Sequence, residues 1–181
     1  MELVWVLDRA TALVGYAALY LAVLTGALYN ARGFGAFVDA ARRIHVEVSV
    51  FALLALIAHA GLGLLDAWLV LSGASPAPAY GSSYLIAGVA VGAGAFLLLV
   101  VGVLGFLDAR RFERPWAPQV VHAFTYGAFA FGTVHAVAVG TDVVAVARPG
   151  LIAVTVFLVY VLALRTLSRL GVLVPGESTL A

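Results

Sequence analysis

Five apolar runs, each near or above the roughly 20 residues a helix needs to cross a bilayer core, divide this chain of 181 residues. They lie near 10–29, 44–71, 84–107, 116–140 and 151–170, with short connections between them. A backbone in lipid must satisfy its own hydrogen bonds, so such runs become helices. The predicted fold is all-α: one domain over 1–181, a polytopic bundle of about five transmembrane helices. Composition supports this, because 64% of residues are hydrophobic and only 10% charged, where a soluble domain is nearer a quarter charged. A secretory signal is the competing reading of the first run. That run exceeds an h-region, however, and only Arg9, beside Glu2 and Asp8, precedes it as a basic residue.

The connections differ in chemistry. Residues 30–43 hold Gly33, Gly35, Arg32, Arg42 and Arg43 set against Asp39, and residues 108–118 hold Arg110, Arg111 and Arg114. Residues 72–83 carry Pro76, Pro78 and Gly81 with no charge, and residues 141–150 carry Asp142, Arg148 and Pro149. The tail to Ala181 is too short to fold by itself. Counting the C-terminal Arg165 and Arg169, eight arginines fall on one side of the bundle, and Arg9 and Arg148 on the other. The positive-inside rule then predicts the N-terminus outside and the C-terminus inside. Trp5, Trp68, Tyr80 and Tyr84 are expected at the outer interface and Trp116 at the inner one. A net charge of +1 gives no reason to expect a nucleic-acid partner. With no cysteine in the chain, thiolate catalysis, iron–sulfur clusters and cysteine-ligated metals are excluded.

All four histidines lie in two of the runs. His45 and His59 are 14 residues apart in the second, and His122 and His135 are 13 apart in the fourth. At 1.5 Å of rise per residue each pair spans roughly 20 Å, most of a bilayer core. One crossing separates the two helices, so they run the same way, and His45 shares a depth with His122 as His59 does with His135. Two histidines at one depth on neighbouring helices can clamp a planar haem from both faces, and this chain can do so twice. The expected cofactors are two b-type haems, with His45 and His122 on the inner iron and His59 and His135 on the outer one. Each iron would be six-coordinate and suited to passing electrons. A mononuclear zinc or copper site across both levels is excluded, because metal–nitrogen bonds of about 2 Å cannot gather ligands roughly 20 Å apart. Two separate two-histidine metal sites, with Glu47 or Asp66 as the candidate carboxylates, stay open, as does a plain packing role.

Helical geometry adds a constraint. At 100° per residue, 14 residues fall about 40° from whole turns and 13 residues about 140°. The fourth helix is therefore expected to be unwound or bulged, near Thr125, Gly127, Gly132 and Thr133, or else the haems are offset. Arg42, Arg43, Arg110, Arg111, Arg114 and Arg148 are candidate partners for haem propionates, with Tyr80 and Tyr84 on the outer side. The loop arginines equally serve the positive-inside signal. Gly61, Gly63, Gly127 and Gly132 would leave room for a macrocycle. Phe51, Phe129 and Phe131 are placed between the two levels, and Glu47 is a candidate partner of an imidazole. Gly88 and Gly92 form a small-xxx-small pair suited to close helix approach.

Histidines spaced 14 and 13 apart on helices separated by one crossing resemble the ferric reductase-like transmembrane domain. That family comprises the membrane cores of NADPH oxidases and ferric reductases and the stand-alone membrane cytochrome b of the MsrQ type. The resemblance covers 44–140 closely and the flanking helices loosely. It implies bis-histidine b haems at the four histidines, with electrons entering at the cytoplasmic haem. The oxidases and reductases add a cytoplasmic FAD and NAD(P)H domain after the last helix, and their cores often have six helices. This chain has five apolar runs and no G-x-G-x-x-G after a strand. Its expected role is an electron-transfer subunit of an oxidoreductase in the bacterial inner (plasma) membrane. A separate flavoprotein or quinol would supply electrons, so that flavin or quinone enters with a partner. A soluble outer-side redox protein, a metal chelate or oxygen would accept them. Two alternatives stay open: a self-sufficient reductase of ferric chelates or oxygen, and a non-redox protein that binds haem or a metal.

Overall fold

The computed structural model describes residues 2–29, 37–74, 82–108, 114, 116–140 and 148–169. Every regular element among them is an α-helix: α1 (Glu2–Tyr29), α2 (Phe37–Leu71), α3 (Ser82–Leu107), α4 (Ala117–His122), α5 (Phe124–Val139) and α6 (Arg148–Arg169). Five stretches are long and apolar enough to cross a membrane, with α4 and α5 forming one of them, Ala117–Val139. The all-α bundle and its five candidate spans are as the apolar runs predict.

Helix starts differ from the predicted ones. α1 begins at Glu2 and α2 at Phe37, well before the apolar runs that set the expectation. Hydropathy marks the part of a helix that lipid covers, whereas polar residues continue a helix into the interface without penalty. The practical result is that Asp8, Arg42 and Arg43 all sit on helices. At its other end α2 closes on Gly73, whose φ is +73°. Its N–H reaches Val70 O at 3.1 Å while Ala74 N–H reaches Leu69 O at 2.9 Å, the paired bonds that end a helix on a left-handed residue.

The centre of the bundle is α1. It packs along α2 and also touches α5 and α6, while α3 packs along α4 and α5. α2 forms no comparable backbone seam with α4 or α5. Buried apolar side chains come from α1 (Ala18, Leu19, Val23), α2 (Ala52), α3 (Leu99), α5 (Ala128, Phe129) and α6 (Leu158). Many are alanines. Where lipid is as apolar as leucine, helices gain by close approach, and small residues allow it. A side chain on Gly15 would strike Leu56, and one on Gly88 would strike Val139 at 2.8 Å. The close approach expected of Gly88 is therefore seen, made to α5. The outward faces of α2 and α6 carry exposed Val50, Leu54, Leu64, Val156 and Val159, as surfaces covered by lipid do.

The span formed by α4 and α5 is interrupted at Ala123, immediately after His122. Ala123 N–H is shared between Gln119 O at 3.0 Å and Val120 O at 3.1 Å, and Tyr126 N–H turns to Ala123 O at 3.0 Å. The Thr125 hydroxyl donates to His122 O at 2.8 Å. The bonds from Ala123 N–H to Val120 O and from Tyr126 N–H to Ala123 O span three residues, as in a 3₁₀ turn. The irregularity required by the 13-residue spacing is present, but it tightens the helix and sits upstream of the expected place. Thr125 belongs to it, whereas Gly127, Gly132 and Thr133 lie in regular helix. Each tightened residue adds about 20° of rotation, in the direction that narrows the offset between His122 and His135.

Candidate functional site: two facing imidazole pairs

The four histidines meet as two pairs, each joining α2 to the α4–α5 span. The rings of His45 and His122 have centroids 6.1 Å apart at an interplanar angle of 88°. Those of His59 and His135 are also 6.1 Å apart, at 57°. The pairs are called inner and outer below, after the orientation predicted from the loop charges. Because α2 keeps no seam with α4 or α5, the rings reach across a gap between helices. All four are partly buried.

Three of the four Nδ1 atoms look back at an acceptor. His45 Nδ1 donates to Ala22 O at 2.8 Å, and His135 Nδ1 donates to Gly88 O at 2.7 Å. His59 Nδ1 donates to the Asp8 carboxylate, Oδ1, at 2.8 Å. His122 Nδ1 is buried and has no hydrogen-bond partner. Oxygens of these kinds only accept, so in the three bonded rings Nδ1 carries the proton and Nε2 keeps the lone pair. A metal ligand needs that tautomer, with its second nitrogen anchored elsewhere.

Two glycines on neighbouring helices make the fit possible. A Cβ on Gly26 of α1 would lie 2.9 Å from His45 Cε1, and one on Gly92 of α3 would lie 2.8 Å from His135 Cε1 and Nδ1. The glycines expected to leave room for a macrocycle meet none of the four rings within 4 Å of an added Cβ. Gly61 and Gly132 face open space, Gly127 lies against Leu98, and Gly63 lies beside Asp8. A ring that reaches across a gap needs its notch on the opposing helix, and spacing along its own helix does not reveal that.

The layer between the pairs is aromatic. Phe129 stacks on Tyr16 with centroids 5.4 Å apart and lies 6.2 Å from Tyr20. Tyr16 is tied to Thr133 by a 2.8 Å hydrogen bond between hydroxyls. Phe129 is thus between the levels as predicted. Phe51 and Phe131 also lie between the histidines along their helices but are 55% and 47% exposed, as aromatics facing lipid are. Phe106 lies against His122, with centroids 4.7 Å apart.

The proposed propionate partners are less informative. Arg42 and Arg43 are exposed on α2, within a turn of His45. Arg114 lies over Trp116, with its guanidinium carbon 5.6 Å from the ring centre. Arg110 and Arg111 lie outside the described residues, as does Tyr80, and of Arg148 and Tyr84 only the backbone is described. Glu47 is exposed; the carboxylate that meets an imidazole is Asp8. Two contributors escaped the sequence reading. Asp8 precedes the first apolar run, and Arg165, counted only as a loop charge, bonds through Nη1 to Gly26 O at 3.3 Å and to the Tyr126 hydroxyl at 3.2 Å. A charged residue inside an otherwise apolar helix is the signal that could have found both.

Among the described residues no group of three or more histidine, cysteine or acidic side chains is gathered as a metal site. Neither Glu47 nor Asp66 therefore completes a conventional site with a histidine pair. Two nitrogens can still hold a metal that brings its other ligands with it. Imidazoles bound to opposite faces of one metal, with bonds of about 2 Å, have ring centres about 6 Å apart, the separation found twice.

Fold and site together define a polytopic helical membrane bundle that presents two facing imidazole pairs at two depths. The chain belongs to the family described as Domain of unknown function (DUF8596), whose profile matches residues 3–142. That segment contains Asp8 and all four histidines and ends before α6. No curated protein and no solved structure matches the chain.

Proposed function

We propose that this protein carries electrons across a membrane through two b-type haems, in the manner of the ferric reductase-like transmembrane domains that its histidine spacing resembles. His45 and His122 would hold the inner haem, and His59 and His135 the outer one. The observation that carries this reading is the repeated 6.1 Å separation of imidazoles drawn from different helices. A histidine that merely packs needs a partner for Nδ1 but has no reason to face a second imidazole, and here that happens at both depths.

When bound, a haem would supply a one-electron couple, held by the His45–His122 or the His59–His135 pair. The chain's own residues supply the rest. Ala22 O, Gly88 O and the Asp8 carboxylate hold the rings as Nδ1–H tautomers. Gly26 and Gly92 seat them. Tyr16, Tyr20 and Phe129 pack together between the levels. In the orientation read from the loop charges, a flavoprotein or quinol delivers electrons at the inner level, and a soluble redox protein, metal chelate or oxygen takes them at the outer one. The corresponding setting is the bacterial inner membrane.

The test is haem content and absorption spectrum of detergent-purified protein. The expected result is a b-type spectrum with close to two haems per chain. His59→Ala and His135→Ala should each remove the same haem, and His45→Ala and His122→Ala the other. Folded protein that is colourless and takes up no haemin would overturn the reading, as would equal loss of both haems in His59→Ala.

A further inference from the structure

The two levels match in ring separation but not in charge. His45 and His135 direct Nδ1 at the backbone carbonyls of Ala22 and Gly88, which are neutral, and His122 Nδ1 is buried with no hydrogen-bond partner. Among the described residues, His59 alone meets a carboxylate. Asp8 and His59 are 18% and 24% exposed, so solvent screens the pair only in part. The contact joins α1 to α2 and passes beside Gly63, where an added Cβ would stand in ordinary van der Waals contact with Asp8 Oδ1, 3.6 Å away.

A tie between two helices does not require a charge. Asparagine or glutamine would accept the same hydrogen bond without the expense of placing a carboxylate in a membrane helix. What a carboxylate adds is a stronger pull on the Nδ1 proton. That raises electron density on the ring and makes it a better donor to an oxidised metal. The inner level has a charge of opposite sign. Arg165 bonds the carbonyl of Gly26, the residue that seats His45. A cation there favours the reduced state of a nearby metal, and an anion disfavours it.

We infer that Asp8 is a positioning residue that sets the redox poise of the outer level, holding the iron bound by His59 and His135 at a lower potential than the iron bound by His45 and His122. The inference rests on the proposed haem sites. An electron that arrives at the outer level is held less tightly there, which suits that level to reducing an external acceptor.

Equilibrium redox titration of the purified, haem-loaded protein tests this, with His45→Ala and His59→Ala proteins assigning each midpoint to its level. The wild type should show two midpoints, the lower belonging to the outer haem that His45→Ala retains. Asp8→Asn should raise that midpoint alone, by at least a tenfold change in the reduction equilibrium, which is 59 mV for one electron. Asp8→Glu should restore most of it. Two haems with unchanged midpoints in Asp8→Asn would overturn the inference while the haem reading stands. If Asp8→Asn sheds the outer haem, the order of midpoints in the two histidine variants decides: outer below inner supports the inference, and outer at or above inner overturns it. Wild-type protein that binds no haem would end both.

Discussion

The inner and outer imidazole pairs share a separation of 6.1 Å and differ in nearly everything that holds it. At the outer level both rings are tied through Nδ1, one to the Asp8 carboxylate and one to Gly88 O. At the inner level only His45 is tied, to Ala22 O, and His122 Nδ1 is left buried without a bond. His122 is held instead by Phe106 and by its place at the end of α4, just before the tightened turn. A common spacing can thus be reached by hydrogen bonding or by packing. At the outer level both rings are fixed by polar contacts between helices, whereas at the inner level one ring is fixed in that way and the other by backbone conformation and contact with an aromatic ring.

The sharpest way to break this symmetry is to fill the notches. Gly92→Ala puts a methyl 2.8 Å from His135, and Gly26→Ala puts one 2.9 Å from His45. Overpacking of this kind costs about 1–3 kcal/mol. Haem content should fall selectively, at the outer level for Gly92→Ala and at the inner level for Gly26→Ala, as read by spectra of the purified variants. Loss from both levels alike would show that the notches support the bundle as a whole.

A smaller effect is expected at the turn. Thr125→Val removes the hydroxyl that donates to His122 O and should cost about 0.5–1.5 kcal/mol. It should change the inner haem's spectrum and retention and leave the outer one alone, because the outer pair lies well over two helical turns away along α5. The smallest effect belongs to the layer between. Tyr16→Phe breaks the bond to Thr133, which keeps its own bond to Phe129 O. Such bonds between membrane helices are worth about 0.6 kcal/mol on average. Thermal unfolding should shift slightly with both haems retained; selective loss of one would mean that the aromatic layer belongs to that level.

Much of this site was legible along the chain because helical rise converts spacing into depth. Separations of 14 and 13 residues are enough to match His45 with His122 and His59 with His135. The need for an irregular fourth helix followed from the same arithmetic, since 13 residues do not close whole turns. Its position and sense did not follow. Tightening at Ala123 and bulging near Gly127 both alter the phase, and the choice between them depends on how Thr125 and Val121 pack against Gly102 and Gly105 of α3. Phe51 and Phe131 keep the depth read for them, but the direction they face was open for a related reason. Depth is additive along a helix, but the direction a side chain faces depends on rotation about the helix axis, which weakly amphipathic helices leave nearly free.

By itself the sequence determined five apolar helices, the depth of each histidine, and the side of the membrane predicted for each loop. Length and hydropathy give the helices and the depths one helix at a time, and the arginine count of the loops carries the prediction of side. The tertiary structure alone decided that α1 occupies the centre, that Asp8 reaches His59 across 51 residues, and that Gly26 and Gly92 receive the imidazoles. Each depends on how one helix is rotated and pressed against another. In lipid, where apolar burial gives helices little reason to choose a face, that choice is made by small residues and a few polar contacts between helices.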